Sequence, residues 1–280
     1  MEVIDGESVA EEVRDSVTEE VEEMETPPKL VAVLMSDDPA SETYVSMKEK
    51  DCGEVGIESE VVRIDPSESE EKLMSVIDDL NHDDSVDGFI VQLPLPDHVD
   101  ETKALEAVSP EKDVDGFHPE NKGLLMEGRP RFVPATPMGV QKLLTATGNS
   151  PDGKDVVILG RSDIVGKPLA NLLVQKSDGA NATVTVCHSG TRNVKEHTRR
   201  ADIIVAAVGV PEFVTAEMVS EETVVIDVGI NKVDGELVGD VDYEGVSEKA
   251  AAITPVPGGV GPMTRAMLLR NTVEAAKLSE

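Results

Sequence analysis

The stretch Gly160-Arg161-Ser162-Asp163-Ile164-Val165-Gly166-Lys167-Pro168 has the residue types of an anion-binding turn. An apolar β-branched run, Val156 to Leu159, leads into Gly160, and a helical pattern from Leu169 to Val174 follows Gly166; this order predicts strand, tight turn, helix. At such a turn the first helical N–H groups have no partner within the helix and the dipole presents its positive end, which suits a phosphate. The spacing departs from Gly-x-Gly-x-x-Gly, because Ser162 stands at the second glycine. A Rossmann-like fold that binds no nucleotide is the competing reading.

The choice of nucleotide follows from the next strand. An NAD site normally carries an acidic residue there for the ribose 2′-hydroxyl, whereas a 2′-phosphate calls for cationic and hydroxyl partners. Here the strand ends Cys187-His188-Ser189-Gly190-Thr191-Arg192, without a carboxylate, and Arg161 sits in the first turn. NADP is therefore expected, with Arg161 and Ser189 toward its extra phosphate; plain surface charges are the alternative for Arg161 and, more so, for Arg192.

A second group of reactive types lies in the amino-terminal half. Tyr44 and Lys48 are four apart on a predicted helix and so share one face, which by itself describes an ordinary surface pair equally well. Gln92 closes an apolar run, where it could simply satisfy backbone groups, and Asp113 and Asp115 precede Gly116, where either could cap a turn.

The elements that must position these groups alternate along the chain. A helix is expected from Glu7 to Met24, stopped by Pro27-Pro28, then a strand at Lys29 to Met35 and a helix from about Pro39 to Glu54. Val61 to Ile64 and Val86 to Gln92 read as strands around a helix at Glu70 to Leu80, with another helix at Glu101 to Val108. After the glycine turn come apolar runs at Thr183 to Cys187, Ile203 to Val208, Val224 to Val228 and Ala252 to Val256, and a last helix at Arg265 to Lys277. Runs without polar alternation suit strands covered on both faces, hence a parallel sheet. The fold class expected is α/β: two α/β domains flanking a cleft, the second a Rossmann-like doubly wound parallel sheet. The boundaries expected are residues 1–137 plus 265–280 for the first and 138–264 for the second.

Composition narrows the function further. Asp and Glu number 56 against 25 Lys and Arg, a net charge of −31 spread along the chain. Such an acidic shell argues against nucleic acid or an anionic membrane as partner and predicts adaptation to high salt, where screening relieves self-repulsion. Aromatic residues make up 2% and Trp is absent, so aliphatic side chains must fill the core. Cys52 and Cys187 give neither a disulfide framework nor metal spacing, and the five histidines are scattered; no metal site is expected. With no apolar run of transmembrane length and no leader pattern, a cytoplasmic protein is expected.

Six segments together carry a resemblance. Tyr44-Val45-Ser46-Met47-Lys48, Val91-Gln92-Leu93-Pro94-Leu95-Pro96, Lys112-Asp113-Val114-Asp115-Gly116-Phe117, Pro134-Ala135-Thr136-Pro137, Gly160 to Pro168, and Thr254 to Thr264 resemble, in order, the motifs of the bifunctional methylenetetrahydrofolate dehydrogenase/cyclohydrolase (FolD) family. Ala135 departs from the Cys of many members. The resemblance implies oxidation of 5,10-methylenetetrahydrofolate by NADP, then hydrolysis of the methenyl cation to 10-formyltetrahydrofolate, in a homodimer. It implies Lys48 as the acid/base group, Gln92 as its partner, Tyr44 as a stacking platform and Asp115 as the carboxylate that grips the pterin. Val91, Leu93 and Pro257, Gly258, Gly259, Val260 and Gly261 complete the implied folate set, and Gly160, Arg161, Ser162, Gly166, Ser189, Ile230 and Thr264 the cofactor set. A lysine facing a cationic intermediate in a partly desolvated site could have a depressed pKa and take a proton from water. Contact with Asp115 would oppose that, so the two should stand apart or Asp115 be engaged by the pterin's donors. The readings left beside this one are a dehydrogenase without the hydrolase step, an NAD enzyme, and a nucleotide-binding scaffold.

Overall fold

The computed structural model describes residues 1–279. Its elements run β1 (Glu2–Val3), α1 (Gly6–Glu22), β2 (Lys29–Leu34), α2 (Pro39–Glu54), β3 (Glu58–Arg63), α3 (Glu70–Asn81) and β4 (Gly88–Val91). Next come α4 (Glu101–Ala107), α5 (Pro119–Met126), α6 (Ala135–Ala146), β5 (Asp155–Leu159), α7 (Gly166–Leu173), β6 (Thr183–Cys187), α8 (Val194–Thr198) and β7 (Ile203–Ala206). The chain ends with β8 (Val224–Asp227), β9 (Asn231–Val233), β10 (Glu236–Val238), α9 (Tyr243–Ser247), β11 (Ala252–Ile253) and α10 (Val260–Ser279).

Two compact units result. One comprises Glu12–Ala135 with the chain from Arg265 onward; the other comprises Met1–Glu11 with Thr136–Thr264. The first eleven residues thus group with the glycine-turn half and not with the segment that follows them. The reason is β1, which pairs in parallel with β11 through Glu2 opposite Ala252 and Val3 opposite Ile253.

In the unit from Glu12, three parallel strands lie in the order β3-β2-β4. Five of the six residues of β2 and all four of β4 are buried, as expected of strands covered on both faces. Val31, Val33, Val91, Leu73, Ile77 and Phe89 form the centre of its core. The amphipathic stripe of α1, Val13, Val17 and Val21, is buried in the same unit.

The other unit holds a six-stranded sheet in the order β1-β11-β8-β7-β5-β6, with every pairing parallel. Chain direction across the sheet reverses at β5: β6 lies on one side of it and β7 on the other. That reversal is the topological switch point of a doubly wound fold, where ligands bind beyond the carboxyl ends of the strands. β7 and β8 are buried throughout, which accounts for their uninterrupted apolar sequence. An antiparallel pair, β9 and β10, forms its own small sheet.

Two boundaries differ from the sequence reading in ways that matter below. The last helix begins at Val260, not Arg265, so Val260 and Gly261 are its first residues rather than loop; Pro262 fits there because first-turn N–H groups have no helical partner to lose. β3 begins at Glu58 rather than Val61, its early residues being held by pairing with Lys29, Leu30 and Val31 of β2. Among the described residues no helix is long and apolar enough to cross a membrane.

Candidate active site

Lys48 stands on α2, a helix started by Asp38, whose carboxylate accepts from the N–H groups of Ala40 at 3.2 Å and Ser41 at 3.3 Å, with Pro39 in the first turn. Its ammonium donates to Gln92 Oε1 at 3.1 Å. Gln92 sits one residue past β4 and still extends the ladder, donating its backbone N–H to Val33 O at 2.9 Å. Its side-chain Nε2 donates to Leu93 O at 2.6 Å, which turns the amide oxygen toward the lysine. Tyr44 is half-buried one turn before Lys48, and Cys52 is buried one turn after it.

The electrostatics of this lysine are unusual. Burial pulls its pKa below the ordinary lysine value, while the Asp115 carboxylate pulls the other way more weakly. Burial likewise pushes Asp115 up, against Lys48. Among the described residues no carboxylate lies within ion-pair distance of Lys48. The Cys52 thiol, buried and next to Asp51, is pushed up to about 12, so it is a packing group and not a nucleophile.

The loop bearing Asp115 is fixed by its neighbours, which divides the two carboxylates before Gly116 into different roles. Asp113 is buried and accepts from Phe117 N at 3.1 Å, His118 N at 2.8 Å and Asn121 Nδ2 at 2.8 Å; burial pushes it up to about 6. Gly116 has φ +71°, and a Cβ there would lie 2.9 Å from Pro134 N, so only glycine fits. From α10, Asn271 Nδ2 donates to Val114 O at 2.7 Å and to Val133 O at 2.9 Å. Asp113 is therefore the turn residue, and Asp115 is left half-buried outside these turn contacts.

In the other unit, a cavity of about 510 Å³ opens at the switch point. Its wall is formed by Gly160, Arg161 and Ser162 after β5, His188, Ser189 and Thr191 after β6, and Ala207, Val208, Val210 and Phe213 after β7. Gly160 has φ +120°, and a Cβ on it would lie 2.1 Å from Ala207 O; one on Gly166 would lie 2.3 Å from Gly160 O. Both glycines are thus required by close backbone approach. Ser162 Oγ accepts from Val165 N at 3.1 Å and Gly166 N at 3.4 Å, shaping the start of α7 in place of a glycine.

Not every residue expected in these sites is gathered by them. Gly160, Arg161, Ser162 and Ser189 line the cavity, and Gly166 supports its turn, whereas Arg192, Ile230 and Thr264 are outside the lining. Ile230 is exposed, and Thr264 Oγ1 pairs with Thr136 Oγ1 at 3.0 Å. The Val91 side chain belongs to the core and Leu93 is half-buried. Pro257 to Gly259 form a turn with Gly258 at φ +103°, whose carbonyl accepts from Gly6 N at 2.9 Å. His188 and Thr191 were not singled out from the sequence, although their place just past a strand end marks them by the switch-point rule. His188 Nδ1 accepts from Gly190 N at 3.1 Å and its backbone N–H donates to Thr191 Oγ1 at 2.9 Å.

A family model described as tetrahydrofolate dehydrogenase/cyclohydrolase, NAD(P)-binding domain, matches residues 134–280, and one described as the catalytic domain of the same enzymes matches residues 4–115. The bifunctional protein FolD of Halobacterium salinarum is 59% identical over 284 residues, covering 98% of this chain and 96% of the relative. The structure of the bifunctional methylenetetrahydrofolate dehydrogenase/cyclohydrolase from Campylobacter jejuni superimposes with a TM-score of 0.95 at 46% identity, covering 99% of each chain. That of Trypanosoma brucei, complexed with NADP and an inhibitor, gives 0.92 at 40% identity, covering 99% of this chain and 97% of the other.

Proposed function

The chain belongs to the tetrahydrofolate dehydrogenase/cyclohydrolase family, and from that premise we propose that it oxidises 5,10-methylenetetrahydrofolate to the 5,10-methenyl form with NADP and then hydrolyses that product to 10-formyltetrahydrofolate. The observation that carries the second step is Lys48, whose partner is the neutral Gln92 amide at 3.1 Å and not a carboxylate.

Hydrolysis requires a group that removes a proton from attacking water while a cation sits nearby. A desolvated lysine meets this need, because burial favours its neutral amine and the cationic substrate disfavours a second positive charge. Gln92 holds the nitrogen in place by a hydrogen bond from Lys48 to a neutral acceptor, which favours the ammonium less than a carboxylate would. Asp115 has the chemistry to accept the donors of the pterin edge, a charge-assisted contact of about 1.5–3 kcal/mol, and Tyr44 offers a flat face on the same side of α2. Lys48, Gln92, Tyr44 and Asp115 all lie in the unit from Glu12, to which the folate chemistry is assigned.

The cavity at the switch point fits NADP. When bound there, the cofactor supplies the hydride acceptor. Gly160, Ser162 and Gly166 bring backbone and the start of α7 to its phosphates, and Arg161 with Ser189 supplies the cation and hydroxyl that a 2′-phosphate needs. Ile230, Thr264 and the Pro257 to Gly261 segment are proposed to complete the ligand contacts. A cytoplasmic homodimer feeding 10-formyltetrahydrofolate to purine synthesis is the setting that the family resemblance supports.

The test is absorbance at two wavelengths in high salt, following NADPH and methenyltetrahydrofolate after mixing enzyme, methylenetetrahydrofolate and NADP, with NAD in parallel. NADPH formed without lasting methenyl signal is expected. Stoichiometric methenyl accumulation would leave a dehydrogenase alone, and no turnover with either cofactor would leave a binding protein.

A further inference from the structure

Two buried carboxylates stand beside the cofactor cavity with no cation, among the described residues, to pair them. Asp227, the last residue of β8, is 3% exposed, and Asp240, two residues past β10, is 0% exposed. Asp227 accepts three backbone N–H groups, from Gly229 at 2.9 Å, Asp240 at 2.9 Å and Val241 at 3.0 Å. Asp240 Oδ2 accepts from Val208 N at 2.6 Å and Gly209 N at 2.9 Å, and its Oδ1 accepts from Asn231 Nδ2 at 2.9 Å.

The site is built for these two side chains. A Cβ on Gly239 would lie 1.8 Å from Asp227 Oδ2, and one on Gly229 would lie 2.3 Å from Asp240 Oδ1; the glycines leave the volume the carboxylates fill. The backbone adds two more ties between the same segments, Val214 N to Asp240 O at 2.9 Å and Glu212 N to Gly239 O at 3.2 Å. Buried carboxylates cost desolvation and are retained only where hydrogen bonds repay it. The bonds of Asp240 and of its neighbour Gly239 reach one strip of chain, Val208 to Val214, whose Val208, Val210 and Phe213 form the cavity wall after β7.

Resting on the NADP reading above, we propose that Asp240 is a positioning residue for the dinucleotide. By drawing two successive N–H groups onto one oxygen, as anion-binding backbone nests do, it fixes the course of the chain through Gly209, which has φ +66°. Donors committed to Asp240 are withheld from the ligand, so that wall offers Val208, Val210 and Phe213, an apolar strip suited to a planar ring. Asp240 touches neither cofactor nor folate; it acts through the wall. Asp227 acts one step further back, holding the backbone of Asp240 and Val241.

The experiment compares Asp240→Ala and Asp240→Asn with the parent by two readouts in the same high-salt buffer: the dissociation constant for NADP, and hydrolysis of methenyltetrahydrofolate without NADP. Asp240→Ala is expected to weaken NADP about tenfold, because the backbone at Val208 and Gly209 that carries the wall is no longer held, with hydrolysis at the parent rate. Asp240→Asn, which keeps one neutral acceptor, is expected to lie between. A merely structural role would lower both readouts together. Parent-like NADP affinity in both variants would overturn the proposal, as would equal losses of binding and hydrolysis in Asp240→Asn. If Asp240→Ala does not fold, Asp240→Asn decides by the same comparison. A parent protein that itself binds no NADP or hydrolyses no methenyltetrahydrofolate would instead overturn the functional reading.

Discussion

Lys48 and Gln92 meet at 3.1 Å from two elements 44 residues apart in sequence, and the amide between them turns its oxygen to the lysine because its nitrogen is occupied by Leu93 O. The contact fixes the nitrogen and favours its charged form less than a carboxylate would. With burial lowering the Lys48 pKa, the neutral amine needed to accept a proton is populated below the range of an exposed lysine.

Lys48→Met is therefore expected to lower methenyltetrahydrofolate hydrolysis at least ~100-fold while the NADP dissociation constant stays at the parent value. In the parent, the hydrolysis rate should rise with pH as Lys48 loses its proton and level off below the ordinary lysine value of 10.5. A plateau only above that value, or a variant that hydrolyses at the parent rate, would remove Lys48 as the base.

Asp113 and Asp115 make a matched pair for mutation. Asp113→Ala strands the N–H groups of Phe117 and His118, and is expected to reduce stability by about 3 kcal/mol, read from denaturant unfolding. Asp115→Ala should leave unfolding nearly unchanged and weaken folate binding about tenfold or more. Unchanged folate affinity in Asp115→Ala would make it a second turn residue.

Arg161 lines the cavity while Arg192 does not, so the two arginines should differ. Arg161→Ala is expected to weaken NADP about tenfold more than NAD, as loss of one charge-assisted phosphate contact. Arg192→Ala should change neither. Equal losses for the two cofactors on replacing Arg161 would place 2′-phosphate recognition elsewhere.

Stability should depend strongly on salt. With a net charge of −31, self-repulsion acts over a Debye length of about 10 Å at 0.1 M salt and about 3 Å at 1 M. The melting temperature is expected to rise across that interval. Melting curves and circular dichroism that coincide at low and high salt would refute the adaptation.

What could be read in the sequence tracks how local its cause is. β7 and β8 begin where their apolar runs begin, because burial on both faces writes itself into consecutive residues; β6 runs over Thr183–Cys187 as expected although, at the sheet edge, only its Cys187 is buried. β1 has no such mark: Glu2 and Val3 are both exposed, and they form a strand only because β11 offers an edge. The β9–β10 hairpin did carry a signal, Asp234-Gly235 at φ +51° and +92°, the dipeptide that favours tight hairpins; its strands are simply too short to alternate. The phosphate turn was legible in Gly160 and Gly166, but whether Asp113 or Asp115 caps the turn was settled only by Asn121 and the loop N–H groups. Asp240 gave no warning at all, since its partners Val208 and Gly209 lie some thirty residues earlier in the chain and meet it only through the sheet.

The pairing of β1 with β11 also constrains the birth of the protein. Glu2 and Val3 must await residues 252 and 253 before their ladder can form, so closing this sheet links positions about 250 residues apart and its contact order is high. Neither compact unit is one continuous piece of sequence. A cut between Ala135 and Thr136 leaves β1 on the fragment that cannot use it and α10 on the other, so a split gene would have to rejoin its halves by complementation.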